Sequence, residues 1–179
     1  MKKIYICIDL KSFFASCECS KRNLDPFTTN LVVADKTRGE NALCLAITPA
    51  MKKLGIKNRC RTKDIPGDIP YTIAKPRMKM YMEYSAKIYG IYLRYVSSKD
   101  VHVYSIDECF IDITSYLKYY KKKPKEFAEM LISAVFEETG ITATVGIGTN
   151  LYLAKIAMDI IAKHVDDNIG MLTENTYRK

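Results

Sequence analysis

The fourteen residues "VHVYSIDECFIDIT", positions 101–114, set Asp107 directly beside Glu108 in a run of strand-forming side chains. Val101, Val103, Ile106, Phe110, Ile111 and Ile113 are types that a sheet normally buries. Like charges in contact repel, and enclosing either one unpaired costs several kcal/mol. A fold that accepts this run must therefore bring something positive to it. The remaining sequence narrows what that is.

Patterning along the chain gives the frame. "KIYICIDL" predicts a short strand ending near Asp9. "KSFFASCECSKR" predicts a helix with Ser12 at its N-cap and Ala15, Cys19 and one of Phe13 or Phe14 facing inward. "LVVAD" and "ALCLAIT" predict a hairpin around "KTRGEN". "PAMKKLG" predicts a short helix with Pro49 in its first turn and Gly55 at its end. Basic loop follows to Pro70. From Lys75 to Tyr95, Met78, Tyr81, Met82, Ser85, Ile88, Tyr89 and Tyr92 recur at three- and four-residue steps, a core stripe on a long helix. The opening run then supplies two strands meeting at Asp107-Glu108. The lysine-rich stretch from Lys118 to Glu126 reads as a solvated loop. "PKEFAEMLISAVFEETG" is a helix, "ITATVGIG" a strand with a Gly146-x-Gly148 bend, and "NLYLAKIAMDIIAK" a helix with Leu153, Ile156, Ala157, Ile160 and Ile161 on one face. "NIGMLT" closes as a strand. This order predicts an α+β fold of the ferredoxin-like kind, an antiparallel or mixed sheet with helices on one face and a small inserted subdomain.

At 179 residues the chain suits one domain with an insertion, and 48% hydrophobic residues are enough for an ordinary core. No apolar stretch approaches the roughly 20 residues that a membrane span needs. Asp9 interrupts the only signal-like start after Ile4–Ile8, too early for an h-region. The six cysteines lack zinc-type spacing and read as reduced thiols. These features predict a soluble cytoplasmic protein. The net charge of +8, from 28 Lys and Arg against 20 Asp and Glu, favours a polyanionic partner.

In a ferredoxin-like sheet the first strand lies beside the strand of such a hairpin, so Asp9 would join Asp107 and Glu108 at one sheet end. Crowded carboxylates suit a hard divalent cation with substrate phosphates, and two such ions serve in-line phosphoryl transfer. Spacing alone leaves a plainer reading open: Asp9 at a helix N-terminus, and Asp107-Glu108 as a solvated turn.

The wording of the motifs goes further. "IYICIDLKSFFASCE", "VYSIDECFIDIT" and "VGIGTNLYLAKIAMDIIAK" resemble, in order and distance, three signatures of the Y-family DNA polymerases, the UmuC/DinB translesion enzymes, and "NLVVADKTRGENALCLAITPAMKKLGIK" is similar to the UmuC branch. The resemblance implies a DNA-directed DNA polymerase of DNA repair and the SOS response. It implies two Mg²⁺ ions, replaceable by Mn²⁺, on Asp9, Asp107, Glu108 and the Leu10 carbonyl. It implies Phe14 as a steric gate beneath the deoxyribose, Phe13 toward the core or the nucleotide, and Lys155 on the triphosphate. The family's fingers-helix Tyr and Arg are replaced here by Pro49 and Lys52, so Lys52 or the Thr48 hydroxyl is the expected substitute. The implied palm is 1–19 and 78–170, the fingers 20–77, and a truncated thumb begins at 171–179, with the little finger absent. Implied partners are primer-template DNA, a deoxynucleoside triphosphate, and for the full-length enzyme a sliding clamp and SOS accessory proteins. The fragment itself is expected to be monomeric and weakly active. A palm-related nucleotidyl cyclase and a non-catalytic DNA-binding or assembly module are the rival readings. The first would need a glycine-rich hairpin at "SIDECF", and the second a missing acid.

Overall fold

In a computed structural model of the chain, residues 2–178 are described. Chain order gives β1 (Tyr5–Leu10), α1 (Phe13–Lys21), β2 (Leu31–Val33), β3 (Ala46–Ile47), α2 (Pro49–Lys53), β4 (Thr72–Ala74) and α3 (Met78–Tyr92). Then follow β5 (Val101–Val103), β6 (Glu108–Asp112), α4 (Thr114–Tyr120), α5 (Pro124–Thr139), β7 (Ala143–Gly148), α6 (Leu151–Ile156), β8 (Ile169–Leu172) and α7 (Glu174–Tyr177). They form two compact units. The first comprises Met1–Leu10, Ser85–Glu138 and Thr142–Lys179, the second Lys11–Tyr84 with Thr139–Ile141. Among the described residues no helix is long and apolar enough to cross a membrane.

The first unit is built on a five-stranded sheet of order β5-β6-β1-β7-β8. It is mixed: β1 is antiparallel to both β6 and β7, and β7 runs parallel to β8. Side chains alternate across a strand, so Ile6, Ile8 and Leu10 of β1 take one face and Tyr5, Cys7 and Asp9 the other. On the first face, Ile88 and Tyr92 of α3 line one cleft with Leu10 and Cys109. On the second, Ala154 and Met158 pack against Cys7 and Phe110. The sheet thus carries a helix on this second face as well.

That second contact is unusually close, and glycine is the reason. A Cβ on Gly146 would lie 2.0 Å from the Ala154 carbonyl oxygen and 2.2 Å from the Met158 nitrogen, and one on Gly148 2.3 Å from the Ala154 nitrogen. The expected bend at Gly146-x-Gly148 is therefore straight strand that leaves room for a helix backbone. The last helix also differs from its expected face. After α6 it widens into a π-helical stretch over Ala157–Ile161 and ends in a 3₁₀ turn, Ala162–His164. Leu153, Ala154, Ala157, Met158 and Ala162 are buried, whereas Ile160 is 63% exposed. The backbone at Ala154, Ala157 and Ala162 and the Cβ atoms of Leu153, Met158 and Ile161 lie against the glycines of β7 and β8.

Other expectations shift for similar local reasons. Tyr81, Ile88, Ile91 and Tyr92 carry the α3 core stripe, while Met78 and Met82 are exposed. Val103 is exposed because β5 is an edge strand. Part of the lysine-rich stretch is helix: α4 runs to Tyr120, and Lys121 leaves it in the left-handed conformation, with φ 53°.

The second unit holds a three-stranded sheet of order β3-β2-β4. The expected β2–β3 hairpin is present, and β4 adds a parallel partner to β2 in the short stretch between Pro70 and Lys75, where no element was expected. Three residues beside Pro70 give too short a pattern to read as a strand. Val32, Cys44, Ile47, Met51 and Ile65 form the core of this unit. Ser12 occupies the N-cap position of α1 with φ 47°, but its side chain does not bond to the helix.

Candidate functional site: an acidic cluster at the end of the central strand

Asp9 and Glu108 are directly opposed in the β1–β6 register. Opposed antiparallel residues have Cα atoms about 4.5–5.5 Å apart, so the two acids, separated by nearly a hundred residues in sequence, share one sheet face. Asp107 is fixed at the start of β6. Its carbonyl accepts the Leu10 N–H at 2.9 Å, and its Oδ1 accepts the Ser105 hydroxyl at 2.8 Å. The preceding turn is closed by the N–H groups of Tyr104 and Ser105, which both donate to the Glu108 carbonyl. The Ser85 hydroxyl donates to the Ile106 carbonyl at 2.6 Å and ties this turn to α3. Two adjacent acids in an apolar run are thus the end of a hairpin, half-buried, with their backbone groups bonded.

The positive charge that the sequence demands comes from the helix after β7. The Lys155 ammonium pairs with Glu108 Oε1 and lies 3.3 Å from Asp159. Lys163 lies 3.2 Å from Asp159 and 3.8 Å from Asp9. Glu108, Lys155, Asp159, Lys163 and Asp9 therefore form an arc of alternating charge. Lys155 also sits 5.9 Å over the ring of Tyr104, an exposed side chain at the mouth of the turn. Burial pushes the Asp9 carboxyl up to about 6; Lys163 opposes this, and the charges of Asp107 and Glu108 add to it. Burial works against a charge on Lys155, but the Glu108 hydrogen bond and the nearby negative charges overcome it and raise its pKa.

Asp9, Leu10, Asp107, Glu108 and Lys155 are thus gathered in one unit. Asp159 and Lys163 are additions. Their signal was present as four-residue steps from Lys155, which align three charges along one helix. Among the described residues, no three His, Cys, Asp or Glu side chains already converge as a metal cage. The chemistry of the donors nevertheless suits a hard cation: carboxylate oxygens, one of them with its proton affinity raised by burial and by its acidic neighbours, and lysines at their margin.

The other candidates lie in the second unit. Phe14 is half-buried, its ring stacked on Tyr81 at 4.6 Å and 16°. Lys52 is exposed on α2. Two expectations narrow. Of the two settings expected for the Phe13 ring, core or nucleotide, it takes the core, at 4% exposure. Thr48 is fully buried, and its hydroxyl donates to the Thr29 carbonyl at 2.7 Å and accepts the Leu31 N–H at 3.2 Å. It staples β2 to the start of α2, so it is not the substitute triphosphate contact.

A family model described as the impB/mucB/samB family matches residues 8–159, a span containing all three acids and Lys155. The chain belongs to the impB/mucB/samB family. Among its relatives, the "Putative UV-damage repair protein UvrX" of Bacillus subtilis (strain 168) is 38% identical over 170 residues, 94% of this chain and 39% of UvrX. "DNA polymerase IV 2" of the same organism is 33% identical over 180 residues, 99% of this chain and 42% of that protein. A solved "Y-family DNA polymerase chimera" shares the fold with a TM-score of 0.80 at 24% identity, over 96% of this chain and 49% of its own. This family member therefore spans about two-fifths of the length of these two curated relatives.

Proposed function

We propose that the chain forms the palm and fingers of a DNA-directed DNA polymerase for translesion synthesis, transferring a nucleotide from a deoxynucleoside triphosphate to a primer 3′-hydroxyl. The observation that carries this reading is the Asp9–Glu108 register with Asp107 fixed beside it. The names of the relatives, a UV-damage repair protein and a DNA polymerase IV, support it. Residues 1–19 and 78–170 act as palm and 20–77 as fingers.

Asp9, Asp107, Glu108 and the Leu10 carbonyl would hold two Mg²⁺ or Mn²⁺ ions. Such ions, when bound, would stabilise negative charge on the attacking and leaving oxygens. The part played by the chain is to bring carboxylates from two adjacent strands to one end of the sheet, so that turning of the side chains alone would gather them on an ion. Lys155 and Lys163 neutralise the acids until an anion arrives, and Lys163, 44% exposed and 3.8 Å from Asp9, is the freer to turn to a triphosphate. Phe14 presents its uncovered face to the sugar and excludes a 2′-hydroxyl. Lys52 offers a point charge where a forked arginine would bind more specifically. Primer-template DNA, a sliding clamp and SOS accessory proteins are the partners, in the bacterial cytoplasm.

Titration of the chain with dATP and ATP in Mg²⁺ or Mn²⁺ tests this. Metal-dependent binding that favours dATP is expected, falling by about ten-fold or more in Asp107→Ala. Binding indifferent to both metal and Asp107→Ala would contradict the reading.

A further inference from the structure

One carboxylate in the second unit is entirely enclosed. Glu18, on α1, has no exposure. Its Oε1 accepts the Arg77 Nε–H at 2.9 Å and the Tyr81 hydroxyl at 2.8 Å. Its Oε2 pairs with Arg22, one turn along α1, and with a second nitrogen of Arg77. A buried charge is tolerated only when paired and hydrogen-bonded, and three residues saturate this one. Of its partners, only Tyr81 is fully buried; both arginines reach the surface.

Tyr81 is where this cluster meets the rest of the unit. Its ring lies nearly parallel to that of Phe14, and Phe14 also touches Phe13 at 5.9 Å and 49°. Phe14 and Glu18 are four residues apart, neighbours on one helical face. Stacking alone holds a ring pair in its offset arrangement only weakly. A charge-assisted bond at the hydroxyl is directional and roughly twice as strong as a neutral one, so it fixes the Tyr81 ring at its far end and through it the plane of Phe14.

We propose that Glu18, braced by Arg22 and Arg77, is a positioning residue that sets the Phe14 ring through the Tyr81 hydroxyl, and so tunes discrimination between deoxy- and ribonucleotides. The second half rests on Phe14 being the sugar-facing ring; the first does not. An arrangement that only glued α1 to the start of α3 would alter stability without moving Phe14 or the selectivity.

Two readouts on the full chain keep these apart. The Phe14 ring resonances, assigned through Phe14→Leu, are shifted by stacking on Tyr81. In Tyr81→Phe, which keeps the ring and removes the hydroxyl, and in Glu18→Gln, they are expected to move toward unstacked positions while the remaining spectrum stays folded. The ratio of dATP to ATP affinity in Mn²⁺ should fall about three-fold or more in Tyr81→Phe, from the loss of a charge-assisted bond, with dATP affinity itself changing less. Unmoved Phe14 resonances in folded Tyr81→Phe would overturn the positioning role. If the resonances move but Phe14→Ala leaves the wild-type ratio untouched, Phe14 is not sugar-facing; the positioning role then stands and the selectivity claim falls.

Discussion

Glu18 in the second unit and Glu108 in the first are both glutamates answered by cationic side chains, but in different ways. Glu18 has no exposure and is gripped by two guanidinium groups and a buried hydroxyl. Glu108 is 16% exposed and is met by Lys155, whose neighbour in the charge arc, Lys163, is 44% exposed. Arginine forks are planar and shed water readily, whereas lysines are hydrated point charges on flexible stems. One arrangement is permanent and specifies packing; the other is exchangeable and leaves the carboxylates open to a better cation. On the proposed function, the choice of cation separates a structural carboxylate, Glu18, from a metal-binding one, Glu108.

The largest effect expected from this difference lies at Glu18. Glu18→Ala removes the acceptor of several charge-assisted hydrogen bonds, leaves the buried Tyr81 hydroxyl unpaired and opens a cavity, and should destabilise the chain by about 3–5 kcal/mol in denaturant unfolding, with no dependence on divalent cations. A loss under 1 kcal/mol would break the contrast.

Asp9 should behave in the opposite way, through pH. Its carboxyl titrates at about 6 when folded against an ordinary 3.8. The folded state therefore binds the proton more tightly, so this contribution is full below pH 4 and is lost as the pH rises through 6. The difference between 3.8 and about 6 corresponds to about 2–3 kcal/mol. Asp9→Asn should flatten the fall, and millimolar Mg²⁺ should restore stability at pH 7 but not at pH 5; thermal melts across this range test both.

Gly146→Ala places a methyl against the helix backbone at the Ala154 carbonyl and should cost about 1–3 kcal/mol. Because that helix carries Lys155, the variant should also weaken nucleotide binding. Smallest is Lys163→Ala: removing an exposed pair changes stability by roughly 0.2–1 kcal/mol at most, while a fall in dATP affinity of a few-fold would sharpen the view of Lys163 as an exchangeable counter-charge.

Much of the first unit was legible because its strands and helices are long enough to show a period. β1, β6, β7 and α5 lie where alternation and three-to-four spacing put them, and the hairpin acids pointed to a cation. Three features were hidden. β4 is three residues long and pairs in parallel with a strand some forty residues earlier, which no local pattern reports. The π-helical stretch after α6 shifts the buried face, so that Met158 and Ala162 are buried and Ile160 is exposed. The Glu18 cluster joins α1 to residues about sixty positions away; in sequence it is one acid among twenty.

The most direct test of the account is Mn²⁺ binding in the presence of dATP, read by water-proton relaxation, in the wild type and in Asp9→Asn, Glu108→Gln and Asp112→Asn. Asp112 lies at the far end of β6, opposite Tyr5 and paired with Lys3. Binding should be saturable and displaced by Mg²⁺, weakened at least about ten-fold by the first two changes and untouched by the third. Equal Mn²⁺ affinity in all four chains would contradict it.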